Sequence, residues 1–266
     1  MNETLTRTLS GIVYILILIT ASLYLHSFLL LFGIFLLLAV YEFCQLVQLK
    51  KTAPFLIAIF GYALFAYFDV SRSSAILLLL AALFVSGKCI AFLFNANQRP
   101  FAPTSKFVYL IGYVILPIIL ITKIPCIDGS FNPKIIISIF ILIWANDTFA
   151  FVVGKSIGKH KLFERISPKK TIEGFLGGLV FAAVFAVLIA KFFIFQPLFN
   201  WIIISLILSA IGTIGDLVES KFKRVAGVKD SGKIMPGHGG ILDRLDSIIF
   251  AAPFVFLFYQ ILYYVS

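Results

Sequence analysis

The sequence predicts an all-α polytopic membrane protein, and three observations predict it. Of its 266 residues 61% are hydrophobic and only 13% are charged, against roughly 25% charged in soluble domains. Apolar runs of about 17–23 residues recur from end to end, close to the ~20 residues that cross a hydrocarbon core of ~30 Å. The runs lack the two-residue alternation of a membrane barrel. Lipid leaves every backbone polar group to be paired internally, so they read as helices.

About nine transmembrane helices can be drawn, at roughly 9–25, 27–47, 53–69, 74–95, 107–123, 134–153, 173–195, 199–219 and 247–265. The first follows Arg7 and reaches the second across a short break near His26. No convincing cleavage site separates them, so the first reads as a retained helix rather than a signal peptide. The first five are rich in Leu, Phe and Ile. Glu42 is their exception, and the plainer reading is that it snorkels to the interface beside Lys50 and Lys51; the alternative is a functional role. Cys44, Cys89 and Cys126 are odd in number and far apart, which predicts small buried hydrophobes and neither a disulfide framework nor a metal site. With no repeat and no low-complexity tail, residues 1–266 read as one integral membrane domain, N-terminal helices over 1–130 and catalytic helices and loops over 131–266.

Basic residues set the orientation. With the N-terminus in the cytoplasm, one side receives Arg7, Lys50, Lys51, Arg99 and Lys106. The same side receives two polar loops, at about 154–172 and 220–246, and holds 17 of the 22 Lys and Arg. The other side receives Arg72, Lys123, Lys134 and Lys191, and Lys88 stays within a span. The expectation is N-terminus in, C-terminus out, both loops cytoplasmic. The formal charge of +10 then becomes a one-sided basic surface suited to anionic lipid and phosphates. Nucleic acid is excluded as a partner, because no soluble domain exists to hold it.

Carboxylates within spans are the chemical signal, since each costs about 2.5–3.5 kcal/mol on an insertion scale and needs a partner. Asn146 and Asp147 lie under the mouth of the sixth segment. Asp216 and Glu219, three apart at the end of the eighth, share a helix face, and Asp243 and Asp246 repeat that spacing where the ninth begins. Hard oxygen ligands without a His/Cys cluster point to magnesium, which takes one or two carboxylates plus substrate phosphates. Asp216 and Asp243 are its first candidates. The competing explanation, pairing with neighbouring Lys and Arg, applies most to Glu219 beside Lys221 and Lys223.

The loop at 154–172 contains Gly154-Lys155-Ser156 but is no P-loop: Phe149 stands where the upstream glycine belongs, and no strand precedes it. Ser167 and Pro168 form an N-cap and first-turn pair, so Lys169 and Lys170 are expected in a helix's first turn. Cations are disfavoured there unless an anion docks on the free N–H groups; the bland alternative has both facing lipid headgroups. Gly174, Gly177 and Gly178 are expected to allow close helix packing. The loop at 220–246 carries six Lys/Arg, three Asp and five Gly. Gly237-His238-Gly239-Gly240 would let backbone approach a ligand closely, and His238 either transfers a proton or only hydrogen-bonds. Gly227, Gly232 and Pro236 read as turn residues.

From Ser220 to Asp246 the chain runs Ser-x-Phe-Lys-Arg-x4-Lys-Asp-x-Gly-x2-Met-Pro-x-His-Gly-Gly-Ile-x-Asp-Arg-Leu-Asp. This pattern resembles the signature of the phosphatidate cytidylyltransferases, or CDP-diacylglycerol synthases. It departs only at Met235, where the family usually has Leu, Ile or Phe, a volume-tolerant swap. The segments around Asn146-Asp147, Gly154-Lys155, Ser167-Pro168-Lys169-Lys170-Thr171 and Gly215-Asp216 also look like the family's. The resemblance covers roughly residues 140–250, and the N-terminal half only in character.

What the resemblance implies is transfer of the cytidylyl group of CTP to phosphatidate in phospholipid biosynthesis, giving CDP-diacylglycerol and pyrophosphate at the cytoplasmic face of the cell membrane. It implies magnesium, with potassium as a second occupant of the metal site, and a homodimer. By similarity Asp216 and Asp243 are metal carboxylates, with Asp246 and Asp147 close by. Lys223, Arg224 and Lys229 would hold phosphates, with Lys169 and Lys170 as a further clamp. Lys155, Ser167, Asn146 and Arg244 complete the expected substrate site, and His238 joins the catalytic set. The rivals are a CTP-dependent lipid kinase, a cytidylyltransferase for another lipid phosphate and, more remotely, a secondary transporter, which predicts paired repeats and a midplane site.

Overall fold

A computed structural model describes residues 3–68, 71–95, 101–127, 129–235, 237 and 239–265, and every apolar segment drawn from the sequence is helical in it. Helix α1 (Glu3–Ala21) meets α2 (Leu25–Leu46) at a turn over 22–24, where the Ser27 hydroxyl donates to the Ala21 and Tyr24 carbonyls at 2.8 and 3.0 Å. The break thus precedes His26, which lies in the first turn of α2. Helix α3 (Thr52–Tyr62) runs into a π-helical turn ending at Tyr67, and α4 covers Arg72–Phe94. Helix α5 (Pro103–Tyr109) continues through a π-helical stretch into α6 (Leu116–Lys123). The C-terminal half comprises α7 (Pro133–Ile157), a hairpin of β1 (Lys161–Phe163) and β2 (Ser167–Thr171), α8 (Ile172–Leu188), α9 (Leu198–Val225) and α10 (Leu242–Val265).

Seven of these helical stretches are long and apolar enough to cross a membrane. The apolar parts of α1 (Arg7–Ala21) and of α3 with its π turn (Thr52–Tyr67) are shorter. The protein is an all-α polytopic membrane protein, and the hairpin is the only sheet among the described residues.

Two ends differ from the sequence reading. Helix α9 reaches Val225 rather than stopping near 219, and α10 opens at Leu242 rather than 247, so the polar linker shrinks to 226–241. Charge does not end a helix here, because Glu219 and Lys223 are i,i+4 partners and Lys223 and Arg224 suit the negative pole of the last turn. The stop is Gly227 at φ +70°, whose N–H donates to Arg224 while that of Val228 donates to Lys223, at 3.1 and 3.0 Å. That pair of bonds closes a left-handed helix cap.

Packing fixes the helix ends relative to one another. Phe222 on α9 is fully buried among Phe43, Phe92, Phe101, Tyr109 and Tyr113, with ring centroids 4.9–5.5 Å away. Glycines let α8 lie close on α7: a Cβ at Gly177 would sit 2.7 Å from Val153, and one at Gly178 would sit 2.7 Å from the Asn146 carbonyl. Between α9 and α10 a Cβ at Gly215 would stand 2.4 Å from Phe250 Cβ.

The basic connections collect at one end of the bundle. Arg7 packs on Gly237, Lys106 Nζ donates to the Gln48 carbonyl at 3.2 Å, and Arg165 and Lys221 both reach the Asn95 carbonyl. At the opposite end Lys123 donates to the Ala66 and Phe68 carbonyls and Lys134 to that of Phe193.

The glycine contacts separate two substitutions on one helix. Gly215→Ala forces α10 away and is expected to cost about 1–3 kcal/mol, seen as a lower melting temperature in detergent. At Gly212 a Cβ would meet Ser247 Cβ at an ordinary 3.4 Å, so Gly212→Ala should leave melting unchanged or raise it by the helix propensity gained.

Candidate functional site

A cavity of about 680 Å³ lies at the basic end, between α7, the hairpin, α8, α9 and α10. Three helices contribute carboxylates to it: Asp147 from α7, Asp216 from α9, and Asp243 and Asp246 from α10. Lys155, Lys161, Lys169, Lys170 and Arg244 line it too, with Asn146, Ser167 and Thr213. A smaller cavity of about 210 Å³ shares Asp147, Asp243, Arg244 and Asp246 and is walled by Tyr14, Ile15, Phe140 and Trp144. A polar chamber thus has an apolar annex.

The hairpin corrects one expectation. Ser167 caps no helix, because the residue before a proline is driven to extended backbone, and 167–171 continue as a strand antiparallel to 161–163. The helix starts four residues later, with Thr171 as N-cap and its Oγ1 accepting from the Gly174 N–H at 3.1 Å. Lys169 and Lys170 therefore stand on a strand, and the helix-dipole argument does not apply to them. Glu173 reaches back to hold the hairpin's approach, accepting from the Lys159 N–H at 3.0 Å and meeting His160 Nδ1 at 2.6 Å.

Each carboxylate has its own partners. Lys170 Nζ pairs with Asp216 Oδ2, and the Ser220 hydroxyl donates to Oδ1 at 3.3 Å. Asp246 Oδ1 accepts from the Ser247 N–H at 2.7 Å. The Asn146 amide donates to Asp147 Oδ1 at 3.2 Å, while its own Oδ1 is buried without a hydrogen-bond partner. Asp243 is the most heavily engaged: Oδ1 takes Lys223 Nζ at 2.6 Å, and Oδ2 accepts from the Gly240 N–H at 2.7 Å and from the Ser231 N–H and hydroxyl, both at 2.9 Å. Lys223 also pairs with Glu219, which is fully buried.

Lys223 thus serves two acids and does not line the cavity. Nor does Arg224, which donates to the Val228 carbonyl at 3.1 Å and secures the end of α9. Lys229 lines a separate cavity of about 850 Å³, with Tyr41, Gln45, Gln48 and Lys233. His238, with Pro236, lies outside the described residues. The glycines near it make room for the protein's own acids: at Gly239, φ +84°, a Cβ would fall 2.5 Å from Asp243 Oδ2. Glu42 does not snorkel; it is fully buried. Lys161, Thr213 and Ser231 were not singled out from the sequence, since nothing local marks them.

Among the described residues no three His, Cys, Asp or Glu side chains gather closely enough to hold a metal ion by themselves. The donor chemistry still suits magnesium, which uses one or two carboxylates and leaves other positions to water and phosphate oxygens. Asp216 and Asp246 offer hard oxygens to the cavity, whereas the unpartnered Asn146 Oδ1 is buried against Gly178 of α8. An ion at Asp243 Oδ1 would take the place of Lys223.

Fold and site together define a helical membrane protein whose polar chamber, lined by acids and bases, sits at one end of the bundle. The chain belongs to the cytidylyltransferase family, whose family model matches residues 5–262. It is 54% identical over 116 residues to a phosphatidate cytidylyltransferase of Staphylococcus aureus (strain COL), 43% of this chain and 44% of that protein. Proteins of the same name from Staphylococcus haemolyticus and Staphylococcus epidermidis are 52% identical over 116 residues and 48% over 122. These matches cover 44% and 46% of the two relatives and 43% and 45% of this chain, so each spans less than half of the relative's length.

The double pairing of Lys223 predicts a large effect from one truncation. Lys223→Met leaves Glu219 and Asp243 buried without their cation, which is expected to cost about 3–5 kcal/mol. Thermal melting in detergent checks this, and Lys223→Arg should lose much less.

Proposed function

We propose that the protein transfers the cytidylyl group of CTP to phosphatidate, releasing pyrophosphate and forming CDP-diacylglycerol at the cytoplasmic face of a cell membrane. The observation that carries this reading is the chamber itself: carboxylates from three helices meet five Lys and Arg at one end of a membrane bundle. Its family, and relatives named phosphatidate cytidylyltransferase, support the substrate pair. The positive-inside rule supports the cytoplasmic side, because the basic connections share that end.

In the proposed reaction a phosphate oxygen of phosphatidate attacks the α-phosphorus of CTP. The new bond is a phosphoanhydride, and the bond from the α-phosphorus to the β-phosphate oxygen breaks, so pyrophosphate carries away the electron pair. The attacking oxygen is already anionic and needs little help from a base. The difficulty is to hold two anions together in line and to oppose the charge that grows on the transferring and leaving groups. Lys155, Lys161, Lys169, Lys170 and Arg244 do this by placing cations around the chamber. Asp216 and Asp246, with Asp243 and Asp147 beside them, would hold magnesium, which when bound supplies Lewis-acid stabilisation of phosphate oxygens. The annex wall of Tyr14, Ile15, Phe140 and Trp144 suits the first carbons of the lipid's acyl chains, whose remainder stays in the bilayer.

Purified protein given labelled CTP, phosphatidate and magnesium is expected to release pyrophosphate and form a CDP-lipid. Release of CDP with a phosphorylated lipid would instead establish a kinase. Lys170→Met should lower kcat by about 10²–10³-fold, the loss typical for one preorganised electrostatic donor. Asp216→Asn should raise the magnesium concentration for half-maximal rate by at least the ~10–100-fold seen for weaker perturbations of metal sites. An unchanged magnesium titration would remove Asp216 from that role. Cysteines introduced at Lys159 and Lys233 in spheroplasts should resist an impermeant thiol reagent, while one at Lys191 reacts.

A further inference from the structure

We infer that Glu42 is a positioning residue of the chamber: a carboxylate from the N-terminal helices that holds the first turn of α10 and, with it, Asp243, Arg244 and Asp246. The lock itself stands on geometry; its kinetic consequence rests on the function proposed above.

Glu42 lies in the last turns of α2 and is fully buried. Its Oε1 accepts from the Ile241 N–H at 3.0 Å and its Oε2 from the Leu242 N–H at 2.8 Å. The Ser231 hydroxyl, whose one proton goes to either Glu42 Oε2 or Asp243 Oδ2, stands 2.9 Å from both. Ile241 immediately precedes α10 and Leu242 opens it, and the N–H groups at a helix start have no partner inside it. Glu42 satisfies two of them from another helix and places a negative charge at the positive pole. The nearby Lys51 does not compete for it, lying over the Tyr41 ring at 3.6 Å.

The surroundings are shaped to this carboxylate. A Cβ at Gly232 would lie 2.5 Å from Glu42 Oε1, with the Glu42 side chain supplying all three nearest atoms. A Cβ at Gly240 would lie 2.3 Å from Oε2. Both linker glycines thus leave space that Glu42 fills. Ser231 joins it to the site, standing 2.9 Å from Glu42 Oε2 and 2.9 Å from Asp243 Oδ2. Asp243 follows Leu242 directly, so any shift of that N–H moves the carboxylate beside the chamber. Such packing goes beyond capping a helix, because both the linker and the first turn are built around one side chain. A misplacement near 1 Å at a reacting centre costs about 10²-fold in rate.

The test uses the full chain in detergent and four variants: Glu42→Ala, Glu42→Gln, Gly232→Ala, and Glu42→Ala with Gly232→Ala. Hydrogen exchange at the Ile241 and Leu242 amides is expected to accelerate in both Glu42 variants while the middle of α10 stays protected. Glutamine presents one donor where an acceptor is needed, so it should not rescue. Pyrophosphate release should fall about 10²-fold in kcat/KM, with kcat carrying the loss and the KM for CTP little changed. Gly232→Ala keeps every polar group yet displaces Glu42, so it should harm the wild type and add nothing to Glu42→Ala. Wild-type exchange at the two amides in Glu42→Ala would overturn the inference. So would losses from Glu42→Ala and Gly232→Ala that multiply in the double variant. A lower active fraction with unchanged kcat per folded molecule would reduce Glu42 to a structural residue and also overturn it. Should Glu42→Ala fail to fold, Glu42→Gln and Gly232→Ala carry the same exchange test. Should the wild type release no pyrophosphate, the proposed function fails and the exchange result still decides the lock.

Discussion

The structure turns on the Lys223 ammonium, held between Glu219 and Asp243. An acid taken out of water must be matched by charge or by several donors, and this one cation ties the end of α9 to the start of α10. Asp243 then reaches through Ser231 toward Glu42 on α2. A continuous set of charges and donors therefore runs behind the chamber, joining α2 to α9 and α10, two of the helices that line it. The chamber's front is looser by comparison: Lys170 and Asp216 form a single pair whose side chains are each about a third exposed, at 28% and 34%. In the proposed reaction, incoming phosphates would compete with Asp216 for Lys170.

Close backbone approach makes this economical of space. Glycines on α8 and α9 bring α7 and α10 within reach, so Asp147, Asp216 and Asp246 come from separate helices into one chamber. Linker glycines then let the 231–240 segment fold directly onto Asp243 and Glu42. Glycine near a polar site is easily taken as room for a ligand. Here part of that room is filled by the protein's own carboxylates, whose Oδ2 and Oε2 atoms stand where a Cβ would otherwise be.

The helices were legible in the sequence because lipid allows few alternatives: a run like 74–95 must be helical whatever packs beside it. The acids of the chamber were legible for a related reason, since Asp147, Asp216, Asp243 and Asp246 are too costly within spans to be incidental. What escaped was set by competition or distance. Ser167-Pro168 and Thr171 are both acceptable helix starts, and strand pairing with 161–163 chose the second. Lys223 and Arg224 looked like loop cations, yet the left-handed cap at Gly227 lies beyond them and leaves them helical. Glu42 stood out as a carboxylate in an apolar run, but its role could not be read locally, because its partners Ser231, Ile241 and Leu242 follow some 190–200 positions later.

That last separation bears on how the chain divides. By motif, residues 131–266 carry the chemistry and 1–130 are helices of general character. By packing the division dissolves. Phe222, two residues beyond the signature's first serine, is enclosed by rings from α2, α4 and α5 and from the segments beside α5. Tyr14 from α1 walls the annex, Arg7 rests on Gly237, and Glu42 holds the first turn of α10. A C-terminal fragment would keep all four chamber carboxylates and lose the groups that orient two of them. The N-terminal helices therefore act on the site through geometry, which a motif confined to 140–250 cannot display.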